Sequence, residues 1–150
     1  MYFPSRDQFR AYAEEGYGRI PVVREILSDL ETPVSAFLKL AGKPRSFLLE
    51  SVEGGEKWGR YSIIGLPARE WVTLRDGELA RYRDGAEVAR ETPADPLARL
   101  REWVNAVEVA PVEGLPRFSG GAVGYFGYDT VRFIERLPDT NPDPLGMADA

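Results

Sequence analysis

Glu50 stands in an apolar run, Leu48-Leu49-Glu50-Ser51, and is the first residue whose placement suggests chemistry. On a strand, successive side chains alternate faces, so Leu49 and Ser51 share one side and Leu48 and Glu50 the other. A carboxylate in such a run costs free energy if buried, unless it meets a cation or hydrogen-bond donors. Two readings follow. A ligand ammonium can serve as that cation, with the neighbouring hydroxyl or backbone amides holding a ligand carboxylate, an arrangement that suits a free amino acid. Alternatively, Glu50 faces water or pairs with one of the many arginines. Four residues do not choose between these.

The second candidate is Gly120-Gly121-Ala122-Val123-Gly124-Tyr125-Phe126-Gly127-Tyr128-Asp129. Glycines interleaved with aromatics mark bends or close backbone approach within a strand. The spacing fits neither G-x-G-x-x-G nor G-x-x-x-x-G-K-[ST], so a nucleotide-phosphate loop is excluded. A β-bulge or packed core strand, or an interface strand, is expected instead. The third candidate is the loop over residues 54–60, which reads as a lid beside a pocket or as a solvated connection.

Other chemistries are closed off. The chain has no histidine and no cysteine. That removes histidine-based triads, most zinc sites, disulfides and thiolate chemistry, and is compatible with a reducing cytoplasm. The acidic pairs Glu14-Glu15, Glu53/Glu56 and Asp139/Asp143 sit in exposed or loop-like contexts and follow no calcium-loop pattern, so no metal is expected within the chain. A net charge of −5 without a basic stripe argues against nucleic acid. No apolar run approaches the roughly 20 residues needed to span a bilayer, and the N-terminus shows no secretory signal, so a cytoplasmic location is expected.

The elements that must position these residues are legible from period and caps. At 150 residues, one domain is expected. Ser5 with Gln8 forms a capping box, with Phe9, Tyr12 and Ala13 on one face and Gly16 as the stop. Residues 19–27 are extended near Pro21. Thr32-Pro33 opens a second helix whose stripe is Val34, Phe37, Leu38 and Ala41, ended by Gly42. Strands follow over residues 46–52 and 61–66, then over 70–75 and 78–83 joined by Asp76-Gly77, a strong hairpin signal. Asp84-Gly85 repeats the turn before a short edge strand over 87–91, and the region reads as a solvent-facing meander. Asp95-Pro96 starts a helix to about Val107, buried through Leu97, Leu100, Val104 and Val107 with Trp103 beside them. Asp129 is expected to cap a short helix over 130–136, and residues 137–150 read as loop. The class is α+β, largely antiparallel sheets with helices packed on them. The chain reads as part of a longer protein, because no terminal element closes it.

Taken in order, residues 33–40 (PVSAFLKL), 46–55 (SFLLESVEGG), 58–65 (WGRYSIIG) and 120–136 (GGAVGYFGYDTVRFIER) with Leu137-Pro138 resemble the N-terminal domain of anthranilate synthase component I. The resemblance covers nearly all of residues 4–150. It implies the N-terminal part of a larger two-layered α/β enzyme of tryptophan biosynthesis, which converts chorismate and ammonia to anthranilate and pyruvate. A glutamine amidotransferase subunit, component II, would supply the ammonia. Chorismate and Mg²⁺ would sit in a C-terminal catalytic domain outside these residues, so the 150 residues alone are expected to be inactive, with no catalytic residue and no cofactor of their own.

The resemblance also gives the Leu-Leu-Glu-Ser segment a role, as the site of the feedback inhibitor L-tryptophan. Carried onto this sequence, Glu50 would face the tryptophan ammonium, Ser51 would lie against the ligand beside Leu49, and Arg60 and Tyr61 would form part of the wall. The rest of that pocket would come from the C-terminal domain. Three alternatives remain: the N-terminal domain of the related aminodeoxychorismate synthase component I, a non-enzymatic amino-acid-binding module, and a scaffold whose Gly/aromatic strand only packs against a partner domain.

Overall fold

A computed structural model describes residues 2–50, 61–116, 118–138, 140, 142–143 and 145–150. Helices and small antiparallel sheets make an α+β fold, as the sequence pattern leads one to expect. Strands β1 (Tyr2–Phe3) and β2 (Val23–Arg24) pair antiparallel, as do β3 (Phe47–Glu50) and β4 (Ser62–Gly65). A third sheet runs in the order β5 (Glu70–Arg75), β6 (Glu78–Arg83), β7 (Ala86–Glu91). The α-helices are α1 (Arg6–Glu14), α2 (Pro33–Leu40) and α3 (Pro96–Asn105), and a 3-10 segment covers Tyr128–Phe133. The chain divides into two compact units: Met1–Glu25 with Val72–Arg81 and Glu87–Ala150, and Ile26–Trp71 with Tyr82–Ala86.

The helix starts follow their caps. Gln8 N–H donates to Ser5 Oγ at 3.3 Å, and Ser5 N–H donates to Gln8 Oε1 at 2.9 Å. Thr32 and Ser35 exchange the same pair of bonds at 3.1 and 2.9 Å, with Pro33 in the first turn. Asp95 accepts from Ala98 N–H at 2.9 Å. Each such cap stabilises its helix by about 1 kcal/mol, since it satisfies backbone donors that the helix itself cannot. Within residues 19–27, β2 covers Val23–Arg24 and Arg19 bridges Val109 in parallel, while the others belong to no strand.

Positive φ sets the third sheet. Asp76 and Gly77 lie at φ +50° and +78°, and Asp84 and Gly85 at +50° and +91°. Both residues of each turn are thus left-handed, the condition for the tight hairpin turn whose twist matches its strands. A two-residue turn puts Leu74 opposite Leu79, Trp71 opposite Tyr82 and Glu70 opposite Arg83. Leu74 and Leu79 are 1% and 0% exposed, and Ala80 beside them is buried. The Trp71 and Tyr82 rings stack at 5.0 Å with 6° between planes, and Arg83 Nε donates to Glu70 at 2.9 Å. The meander is therefore not solvent-facing at its centre. Alternation in the sequence names the two faces but not which of them is covered.

Three further expectations change. Residues 120–127 form no strand; they run as irregular chain, with Gly120 and Gly121 at φ +151° and +141°. Close backbone approach is real only at Gly127, where an added Cβ would meet Asp149 O at 3.2 Å. The following turn is 3-10 and begins at Tyr128; Asp129 caps nothing and instead accepts from Arg132 Nε at 2.8 Å. On α3, Val104 is exposed, while Trp103 is half-buried between the guanidiniums of Arg81 (5.4 Å) and Arg99 (5.6 Å). On α2, Ala41 at the helix end is buried, but Val34 and Leu38 are exposed, so that stripe is only partly covered among the described residues.

Two predictions follow from this packing. A Cβ at Gly65 would stand 2.0 Å from the Phe47 ring across the β3–β4 ladder. Gly65→Ala should therefore cost about 1–3 kcal/mol in urea unfolding; an unchanged midpoint would refute the contact. The second concerns Asp84, whose carboxylate accepts from Arg69 Nε and Nη2 at 2.7 and 3.0 Å. The hydrogen bond from Arg69, ahead of the charges of Arg69 and Arg83, holds the Asp84 carboxyl below its usual range. A depressed pKa contributes stability above the unfolded value near about 3.9, and that contribution is lost as pH falls through the folded value. Asp84→Asn, which still tolerates the left-handed turn, should be slightly less stable than the parent at about pH 7, with the difference shrinking as the pH falls into acid. A difference that persists in acid would show that the loss is not electrostatic.

Candidate functional site

The segment singled out by its carboxylate forms the ladder of β3 and β4. Phe47 faces Gly65, Leu48 faces Ile64, Leu49 faces Ile63 and Glu50 faces Ser62. Phe47, Leu48, Ile63 and Ile64 are half-buried, and α2 packs against both strands. The opposite end is open: Leu49, Glu50 and Ser62 are exposed. Behind the ladder, Arg45 lies in the left-handed region at φ +62°, with its guanidinium 3.5 Å from the Trp71 ring centroid. Ala68 N–H donates to Arg45 C=O at 3.0 Å. The Arg45–Trp71–Tyr82 stack thus ties the start of β3 to the chain just past β4.

Glu50 lies at the last rung of β3 and faces solvent, so it does not bear the burial penalty considered for it. It has no ion pair or hydrogen bond to another described residue. Cross-strand partners share a face, so the side chain beside Glu50 is that of Ser62, a hydroxyl the sequence reading did not select. Leu49 projects from the other face and is 48% exposed. Tyr61, immediately before β4, is exposed as well. Ser51, Arg60 and the candidate lid over residues 54–60 lie outside the described residues. Among the described members of the expected set, then, the ladder joins Glu50 to Ser62 and separates it from Leu49. Ser62 was missed because a register across an eleven-residue connection cannot be counted from the sequence as it can across a two-residue turn.

Two hollows lie elsewhere. One, of about 380 Å³, is open and lined by Leu27, Ser28, Asp29, Leu30 and Glu31. The Glu31 carboxylate there already accepts from the Lys39 ammonium and from Ser35 Oγ at 2.6 Å; these bonds, that from Lys39 first, hold its pKa below the usual value. The other, of about 190 Å³, is lined by Phe3, Pro4, Gln8, Tyr12, Pro111, Val112 and Glu113. Neither is lined by Leu49, Glu50 or Tyr61. Among the described residues no group of three or more acidic, histidine or cysteine side chains could hold a metal ion. No described helix is long and apolar enough to cross a membrane.

No protein-family model matches the chain. Individual relatives do. The chain is 53% identical over 147 residues to a Pseudomonas aeruginosa protein named anthranilate synthase component 1, and 50% identical over 147 residues to the Pseudomonas putida protein of that name. It is 43% identical over 150 residues to the protein of that name from Neisseria meningitidis serogroup B. Each match covers 97% of this chain but 30% of the relative, so the chain spans less than a third of the length of the relatives it matches. Sequence identity at this level across nearly the whole chain makes it a homologue of the N-terminal portion of proteins named anthranilate synthase component 1.

Proposed function

We propose that this chain is the regulatory N-terminal part of an anthranilate synthase, and that it binds L-tryptophan as feedback inhibitor at the open end of the β3–β4 ladder. The observation that carries this reading is the exposed Glu50 carboxylate, without a described partner, in a chain 53% identical to an anthranilate synthase component 1. In the whole protein, chorismate and ammonia would be converted to anthranilate and pyruvate, with ammonia delivered from glutamine by a partner amidotransferase subunit. Mg²⁺ and chorismate would be held by residues outside this chain.

The chemistry of recognition follows from the residues. Glu50 would neutralise the tryptophan ammonium, with Ser62 on the same face and Ser51 next in the chain as hydroxyl donors. Leu49 and Tyr61 supply apolar and aromatic surface at the same end of the ladder, on the far side of Glu50 in the case of Leu49. The indole therefore needs a wall from elsewhere in the whole protein. Inhibition then requires that tryptophan bind one arrangement of the whole protein more tightly than another.

The test uses the full-length protein with chorismate, Mg²⁺ and ammonia. Losing a charge-assisted hydrogen bond of about 1.5–3 kcal/mol should raise the half-inhibitory tryptophan concentration about 10- to 100-fold in Glu50→Ala. Turnover without tryptophan should stay largely intact, and Ser51→Phe should behave in the same direction by blocking the site. Unchanged inhibition in both variants would reject the site. Absence of anthranilate formation by the full-length parent protein would reject the activity.

A further inference from the structure

Within the third sheet, β5 is an edge strand. Asp84 N–H donates to Arg69 C=O, so residues of odd number along this stretch turn their backbone groups toward β6. Val72 and Leu74 therefore turn theirs outward. Those of Leu74 are occupied: its N–H donates to Ala150 C=O at 2.8 Å, and its C=O accepts from Ala150 N–H at 3.3 Å and Asp149 N–H at 2.7 Å. The reciprocal Leu74–Ala150 pair is one rung of an antiparallel ladder.

Residues 146–150 are pinned in that position from several sides. Asp76 N–H donates to Asp149 Oδ2 at 2.9 Å, and Arg75 donates to Gly146 C=O. Gly127 N–H donates to Asp149 C=O at 2.6 Å, and Tyr125 Oη donates to Ala148 C=O at 3.2 Å. From Gly146 beside Arg75 to Ala150 beside Leu74, this stretch runs antiparallel to β5 and heads toward Val72. The outward N–H and C=O of Val72 have no partner among the described residues, although Val72 is half-buried. Unpaired backbone groups on a strand edge are a template for a further strand.

We propose that the outer edge of β5 at Val72 is a strand-addition site, and that its occupant is the chain continuing from Ala150 in the same antiparallel register. The relatives supply such chain: they match this one in their N-terminal portion and extend well beyond the 30% it covers. Register then fixes a side chain. The second residue after Ala150 stands opposite Val72, on the face shared with Leu74 and Ala150, where Leu74 is fully covered.

Amide hydrogen exchange on the full-length protein tests this without a variant. Val72 N–H should exchange about a hundredfold or more slower than an open-chain amide, in step with Leu74 N–H. Exchange at the open-chain rate while Leu74 stays protected would overturn the proposal. So would protection of Val72 that grows with protein concentration, since the occupant would then be a second copy. As a second reading, Val72→Pro removes only an outward donor and spares the β5–β6 rungs. It should speed exchange in the residues just after Ala150 while leaving Ala80 N–H protected; unaltered exchange after Ala150 would likewise overturn it.

Discussion

The register of the β5–β6–β7 sheet depends on two turns whose residues all carry positive φ. Asp76-Gly77 and Asp84-Gly85 are left-handed at both positions, and the twist this imposes lets each pair of strands close with two residues. A slip of one residue would turn Leu74 and Leu79 out of the core and separate Trp71 from Tyr82. The ion pairs Arg69–Asp84 and Glu70–Arg83 lie in the same register and reinforce it, although as exposed pairs they stabilise little. The free edge of β5 and its outward backbone groups follow from the same count.

Burial is thin over the rest of the described chain. Ala41, Leu74, Leu79, Ala80, Ala110 and Val112 are the buried hydrophobic residues, whereas Leu30 is 98% exposed and Tyr128 87%. A single domain of this size ordinarily covers most of its large apolar side chains. Among the described residues, uncovered leucines and aromatics thus stand beside caps and turns of good geometry. The relatives it matches are over three times as long.

The Leu48–Glu50 strand illustrates how a site divides between local and distant causes. Alternation along β3 separates Leu49 from Glu50, and that much is a property of any strand. That Glu50 lies exposed at the last rung, opposite Ser62, is a matter of which strand pairs with it and in which register. The carboxylate is consequently solvated and unpaired within the described residues. An amino-acid ammonium could approach it without the desolvation that a buried acid would impose.

Helix starts, tight turns and strand positions were legible in the sequence because each rests on a few neighbouring residues: Ser5 with Gln8, Thr32 with Pro33, Asp95 with Pro96, and two Asp-Gly pairs. The similarity to anthranilate synthase component 1 was legible too, through four motifs in order. The Gly120–Asp129 segment misled, since glycine between aromatics suits a strand bend and an irregular chain equally; only the docking of residues 146–150 on Gly127 and β5 selected the latter. Which face of the meander is covered, which residue stands opposite Glu50, and which edge of β5 is left open were decided by tertiary structure alone. Each depends on contacts between residues far apart in the chain, whose closure no local pattern records.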